Sequence, residues 1–187
     1  MNTTKTKYSP SVNIIRDKNY SFNYIPTSNA IKAFDTIISD SKSGVKSHVL
    51  IGSYGTGKSS FLLALQQTIE GSQIHFKHYQ KTKNENIQFE FLNIVGEFSS
   101  FETYFAKLYN LDKNTSSSDV IKALDKHYKS LKKTGKGLAI LVDEFGKFLE
   151  YASKNNPESE LYFIQQLAEW INDADKNTQD TKNLTKE

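Results

Sequence analysis

The sequence has no cysteine, and only one of its 24 basic residues is an arginine. Without cysteine the chain can form neither a disulfide framework nor a thiolate metal site. Arginine is the side chain best suited to bidentate contacts with bases and phosphates. A chain whose single arginine is Arg16 therefore has little means of reading a base sequence. The net charge of +3 is also too small to argue for a nucleic-acid partner.

Long apolar runs are missing as well. No stretch approaches the roughly 18 apolar residues of a membrane span, and no apolar segment follows the polar residues 1–7. We therefore expect no membrane contact, no signal peptide and a cytoplasmic location. The 187 residues, 37% of them hydrophobic, predict one globular domain. Its expected organisation is an N-terminal arm at 1–25, the domain at 26–174, and a polar, disordered tail at 175–187.

Short apolar runs alternate with amphipathic stretches along the chain. The apolar runs predict strands, and apolar residues spaced three and four apart predict helices. Strands are expected at 48–52, 73–80, 87–95 and 137–145. Helices are expected from Thr27 or Ser28 to Gly44, at 58–71, 97–110, 116–133 and 157–174, with a short helix after the last strand. This alternation predicts an α/β fold with a mainly parallel sheet.

Residues 52–59 read GSYGTGKS and match the pattern G-x-x-x-x-G-K-[ST] in full. A predicted strand precedes the match and a predicted helix follows it, which is the context that a phosphate-binding loop requires. The glycines let successive N–H groups point at a phosphate, and the helix adds its positive end. We expect Lys58 to reach the β- and γ-phosphates and Ser59 to hold Mg²⁺. The predicted nucleotide-binding residues are Gly52, Ser53, Tyr54, Gly55, Thr56, Gly57, Lys58, Ser59 and Ser60. The alternative is a glycine-rich turn that carries an exposed lysine.

The apolar run LAILV ends in Asp143 and Glu144. In phosphate-loop enzymes the aspartate that closes such a strand holds Mg²⁺, directly or through water. A glutamate directly after it can orient and deprotonate a water molecule. We therefore predict Ser59 and Asp143 as Mg²⁺ ligands, and Glu144 with Lys58 as catalytic residues for ATP hydrolysis. Alternatively, the two acids only begin and cap the next helix.

The segments GSYGTGKSSFLLAL and LVDEFGKFLEYA resemble the large ATPases of bacterial phage-defence and restriction systems, including the BREX-type ATPases. The resemblance implies a P-loop NTPase three-layer sandwich of the additional-strand, AAA+-like class. The segment NYIPTSNAIKAFDTII is similar to the part of the AAA+-related members that closes over adenine. This implies Tyr24, Ile25 and Pro26 as residues on the adenine side. It also implies ATP and Mg²⁺ as cofactors and other protein subunits or a homo-oligomer as partners, with nucleic acid reached only through a wider assembly.

That class has a further strand between the phosphate-loop strand and the strand that ends in Asp143. The additional strand should follow the helix predicted at 157–174. Residues 175–187, DKNTQDTKNLTKE, are too polar for a buried strand. We therefore expect a sandwich that lacks the strands after the acidic pair. Either the chain is truncated, or another subunit fills the gap, or the strand order differs from the expected one.

Two functions remain in competition at this point. The first is an ATPase domain that serves as the motor or switch of an anti-phage defence system. The second is a nucleotide-binding scaffold subunit with little turnover, completed by a partner chain. A small-molecule kinase is disfavoured by Glu144 and by the shortage of arginine for a lid. His75 and His78 are expected on opposite faces of a strand, which argues against a metal site.

Overall fold

The computed structural model describes residues 11–79, 88–112 and 115–174. The chain divides into two compact units. The first unit draws on Met1–Thr36, Leu50–Gly96 and Leu131–Phe145, and the second on Ile37–Val49, Glu97–Ser130 and Gly146–Glu187. The predicted tail at 175–187 and the polar segment 81–86 lie outside the described residues.

The described residues form six helices and two strands. In chain order the elements are α1 (Ser28–Lys42), α2 (Lys58–Glu70), β1 (Gln88–Val95), α3 (Phe101–Leu108), α4 (Ser117–Lys133), β2 (Lys136–Asp143), α5 (Gly146–Lys154) and α6 (Pro157–Asp173). Each helix falls where the apolar spacing predicts one, and the boundaries agree to within a few residues.

The sheet of the first unit consists of β1 and β2, which run parallel. Their register pairs Gln88 with Lys136 at one end and Val95 with Asp143 at the other. The predicted mixed α/β class and the parallel pairing are therefore confirmed. The register also places the acidic pair at the carboxyl end of the sheet, directly beside the residues that follow β1.

Helix α2 packs against both strands of this sheet. Its buried residues lie on nearly every side of the helix: Phe61, Leu63, Ala64, Leu65, Gln66, Gln67 and Thr68. Gly71 ends the helix with a φ of 78°, a left-handed conformation that glycine adopts without steric cost. A helix that is buried on most of its surface is held in position by its packing.

The segment that precedes α1 is tied to α2 and to β1 by polar side chains. The Gln67 amide donates to the carbonyls of Lys18 and Tyr20, at 3.3 and 3.0 Å. Asn93 on β1 donates to the carbonyl of Ile14, which is fully buried. Buried amides that satisfy backbone carbonyls fix a segment without regular secondary structure, so residues 14–22 are an integral part of the first unit.

The second unit has an aromatic core. The rings of Phe101, Phe105, Phe148 and Phe163, from α3, α5 and α6, contact one another with centroids 4.8–5.8 Å apart. All four side chains are buried. The buried Glu160 carboxylate accepts from the Phe101 N–H at 3.1 Å, which satisfies one of the unpaired donors at the N-terminus of α3.

Two predicted strands are wrong. Residues 48–52 and the described part of 73–80 are irregular, and neither is a strand. Val49 and Ile51 are 74% and 95% exposed, although the apolar run predicts burial. Because a strand requires a hydrogen-bonded neighbour, an apolar sequence alone does not make one. Among the residues that the structure describes, no strand follows β2.

Candidate functional site

The loop before α2 is closed by its own lysine. The Lys58 ammonium donates to the carbonyls of Gly52 and Ser53, both at 2.7 Å. The Thr56 hydroxyl donates to the same Ser53 carbonyl at 2.9 Å. An ammonium group has three donors, so these two bonds leave one N–H of Lys58 for a ligand. The carbonyls of Gly52 and Ser53 face the Lys58 ammonium, and these bonds keep the loop compact.

Two glycines of the loop are left-handed. Gly55 has a φ of 77° and Gly57 a φ of 83°, a region that costs other L-residues roughly 1–2 kcal/mol. Where a left-handed residue neighbours a right-handed one, their N–H groups turn to the same side, and such pairs form the anion-binding concavities of proteins. The preceding segment 48–52 is irregular, so the strand that the motif requires before its loop is not found there.

Helix α2 begins at Lys58 without a cap. Gly57 occupies the N-cap position and has no side chain that could cap the helix, and the first turn contains no acidic residue. The first N–H groups of a helix have no partner within it, and they carry the positive end of the helix dipole. Residues 52–57 are exposed, and Tyr54 completely so. Residues 58–60 are partly exposed, so the start of α2 lies at the surface.

The acidic pair forms a tight turn at the end of β2. Asp143 is buried, and its Oδ1 accepts from the Glu144 N–H at 2.9 Å. Its main-chain carbonyl accepts from the Gly96 N–H at 2.8 Å. Glu144 is exposed and has a φ of 51°, a strained left-handed conformation. The turn leaves the Glu144 side chain at the surface, and α5 begins two residues later.

Gly96 is the residue of this turn that sequence reasoning missed. A Cβ built on Gly96 would lie 2.8 Å from the carbonyl carbon of Glu144 and closer still to its oxygen. Real Cβ atoms do not approach backbone so closely. The sequence shows only a glycine directly after the apolar run FLNIV. That a glycine is required there becomes clear only once the end of β2 is seen to lie against it.

Ser59 and Asp143 are chemically suited to hold Mg²⁺. Both offer oxygen ligands, and Mg²⁺ in proteins usually takes one or two carboxylates together with phosphate oxygens and several waters. Among the described residues no group of three or more histidine, aspartate or glutamate side chains could form a metal cage.

The residues predicted on the adenine side line a cavity. Tyr24, Ile25 and Pro26 share a cavity of about 540 Å³ with residues 73–78 and Ile31. This volume lies within the range of about 300–1,000 Å³ that is typical of small-molecule sites. Tyr24 is half-buried, which raises the pKa of its hydroxyl, and Ile25 is 81% exposed. The cavity therefore combines an aromatic wall with an open apolar edge.

Ring contacts connect this cavity to the first turn of α2. The ring centroid of Phe61 lies 5.9 Å from that of Phe76, which in turn lies 6.1 Å from that of Tyr24. The loop, the acidic turn and the cavity thus belong to one unit. Direct contacts are seen within the loop, within the acidic turn and within the cavity. Helix α2, which begins at the loop, packs on β1 and β2, and the acidic turn follows β2.

The two histidines near the cavity differ in environment. The buried His75 ring shares a hydrogen bond with Gln67 at 2.8 Å, and burial lowers the pKa of His75. His78 is exposed and lies 2.6 Å from an Asp35 carboxylate oxygen. The segment is not a strand, so the two side chains do not lie on opposite faces of one, contrary to the prediction. His75 is buried because it packs against α2, whereas His78 faces solvent.

Comparison of the chain with protein-family models, with curated proteins and with solved structures returned no match. In the part of the chain that the structure describes, none of the helices has the length and apolar character of a membrane span.

Proposed function

We propose that the first unit binds Mg²⁺-ATP on residues 52–60 and hydrolyses it. The observation that carries the proposal is the closed loop, in which Lys58 bonds the carbonyls of Gly52 and Ser53 while Gly55 and Gly57 are left-handed. A glycine-rich turn with a freely exposed lysine, the alternative reading of the motif, would not require this arrangement. A loop held by its own hydrogen bonds loses little freedom on binding, so little ordering opposes it.

The chain's own residues divide the work of hydrolysis. The third N–H of Lys58 and the N–H groups of the first helical turn bind phosphate oxygens and stabilise the charge that develops on them. Glu144 orients a water molecule toward the γ-phosphate and accepts its proton. Ser59 and Asp143 would hold Mg²⁺, which when bound neutralises charge on the β- and γ-oxygens.

The adenine is proposed to lie against Tyr24, Ile25 and Pro26. The support is the cavity of about 540 Å³ that these residues share with 73–78. An aromatic wall favours the stacking of a purine, and an apolar edge excludes water from one of its faces. The ring contacts through Phe76 and Phe61 provide a continuous link between this cavity and the helix that begins at Lys58.

The biological role that we propose is the motor or switch of a bacterial anti-phage defence assembly, in the cytoplasm and together with other subunits or further copies of the chain. It rests on the resemblance of the two core motifs to the BREX-type ATPases. A P-loop sandwich of the additional-strand class is part of the same proposal. Its support in the fold is the parallel pairing of β1 with the strand that ends in Asp143.

A second candidate is a nucleotide-binding scaffold subunit with little turnover, which a partner chain completes. The exposed Val49 and Ile51 beside the loop favour it, and so does a sheet that has two strands among the described residues. Phosphate release, measured in parallel with ATP binding, separates the two candidates. Binding with release supports the ATPase, binding without release supports the scaffold, and absence of binding contradicts both.

A further inference from the structure

We infer that Gly96 is the positioning residue of the acidic turn, a role that rests on the function proposed above. Gly96 follows β1 directly and lies opposite the end of β2, where Val95 pairs with Asp143. Its N–H donates to the Asp143 carbonyl at 2.8 Å, which extends the ladder by one bond beyond the last residue pair. Gly96 therefore holds the backbone of the aspartate that is proposed to bind Mg²⁺.

The same glycine leaves space for the glutamate. A Cβ on Gly96 would be 2.8 Å from the Glu144 carbonyl carbon and 3.3 Å from the Asp143 oxygen, and it would overlap the Glu144 oxygen. These are backbone atoms, which cannot rotate away as the end of a flexible side chain could. Any larger residue at 96 must displace the turn at 143–144.

The displacement would change the direction of the Glu144 side chain. Glu144 is held at a φ of 51°, and its N–H is bonded to the Asp143 carboxylate at 2.9 Å. A left-handed residue returns readily to the right-handed or extended region once its surroundings no longer fix it. Its carboxylate would then point elsewhere, although residues 52–60 would be unchanged. Gly96 thus acts on hydrolysis through Glu144 and on Mg²⁺ through Asp143, without contact with the nucleotide.

The test is Gly96→Ala, compared with Gly146→Ala as the matched control. Gly146 lies two residues after Glu144, and a Cβ built there meets no atom within 4 Å. For Gly96→Ala we expect the turnover number to fall by about 100-fold. ATP affinity without Mg²⁺ should stay within about twofold, and the gain in affinity on adding Mg²⁺ should shrink. Gly146→Ala should leave all three quantities unchanged.

A second comparison separates positioning from general damage. In a Glu144→Gln background and at saturating Mg²⁺, Gly96→Ala should cause no further loss of turnover, because its effect then passes through Glu144 alone and residues that act as one unit are not additive. If Gly96→Ala does not fold, Gly96→Ala combined with Glu144→Gly should recover the fold and ATP affinity, since glycine at 144 lets the carbonyl swing away. Failure of that rescue would overturn the inference.

The outcomes distinguish this inference from the proposed function. Wild-type protein that hydrolyses ATP, with Gly96→Ala equally active, would overturn only the role of Gly96. Wild-type protein that binds ATP without turnover leaves the Mg²⁺-dependent gain in affinity as the readout, and an undiminished gain in Gly96→Ala would overturn the inference. Wild-type protein that does not bind ATP at all would overturn the proposed function and this inference with it.

Discussion

The Lys58 ammonium lies 2.7 Å from the carbonyl oxygen of Gly52, six residues earlier in the chain. This bond and its counterpart to Ser53 close the loop. The first N–H groups of α2 have no partner within the helix, because the first turn of any helix lacks one.

Replacement of the proposed base should separate binding from turnover. In Glu144→Gln the side chain keeps its size but cannot accept a proton from water, so we expect turnover to fall by about 100-fold or more and ATP affinity to remain. The exposed Glu150, which bonds Lys154 at 2.7 Å, offers the control Glu150→Gln. Phosphate release that is equal in both variants would contradict the role of Glu144.

The cavity at Tyr24 should recognise the base and not the phosphates. Tyr24→Ala removes the aromatic wall, so we expect ATP to bind about tenfold more weakly, while inorganic triphosphate binds as it does to the wild type. Tyr20→Ala is the matched control, since Tyr20 is 57% exposed and lies outside the cavity lining. Equal losses for both ligands in Tyr24→Ala would show that the tyrosine supports the loop instead of the base.

Stability should depend on pH through His75. Burial lowers the pKa of His75, so below its ordinary pKa of about 6.5 the unfolded chain binds the proton more readily than the folded one. The free energy of unfolding should therefore decrease as the pH falls below about 6.5 and level off below the pKa of the folded state. Urea unfolding at pH values from about 5 to about 8, around that pKa, gives the free energy of unfolding of the wild type and of His75→Gln. The difference between the two proteins is the contribution of His75. A difference that does not vary with pH would contradict it.

The start of α2 directly after a glycine-rich loop could be predicted from the sequence because its signals are local. Glycine spacing, a lysine and the start of a helix lie within ten consecutive residues, 51–60. The left-handed Gly55 and Gly57 follow from the same pattern, since glycine is the residue that occupies such positions without strain. The parallel run of β1 and β2 follows from the alternation of helices and strands.

The conformation of residues 48–52 could not be predicted from local signals, and the strand expected there is wrong. Its sequence, HVLIG, satisfies the apolar pattern of a buried strand, but pairing depends on neighbours that are distant in the chain. The same applies to Gly96, whose importance comes from the approach of Glu144, 48 positions later in the sequence. His75 fits a strand pattern as well, yet its hydrogen bonds to Gln67 and Thr68 hold it beside α2.

The most direct test is the affinity for Mg²⁺-ATP, measured by calorimetry on the wild type, Lys58→Ala and Lys107→Ala. Lys107 is exposed on α3, and its replacement controls for the loss of one positive charge. We expect the wild type and Lys107→Ala to bind equally, and Lys58→Ala to bind about 10- to 100-fold more weakly, because it loses a charged donor and leaves two loop carbonyls without their partner. Equal binding by all three proteins, or binding by none of them, would contradict the assignment of residues 52–60 as a nucleotide phosphate site.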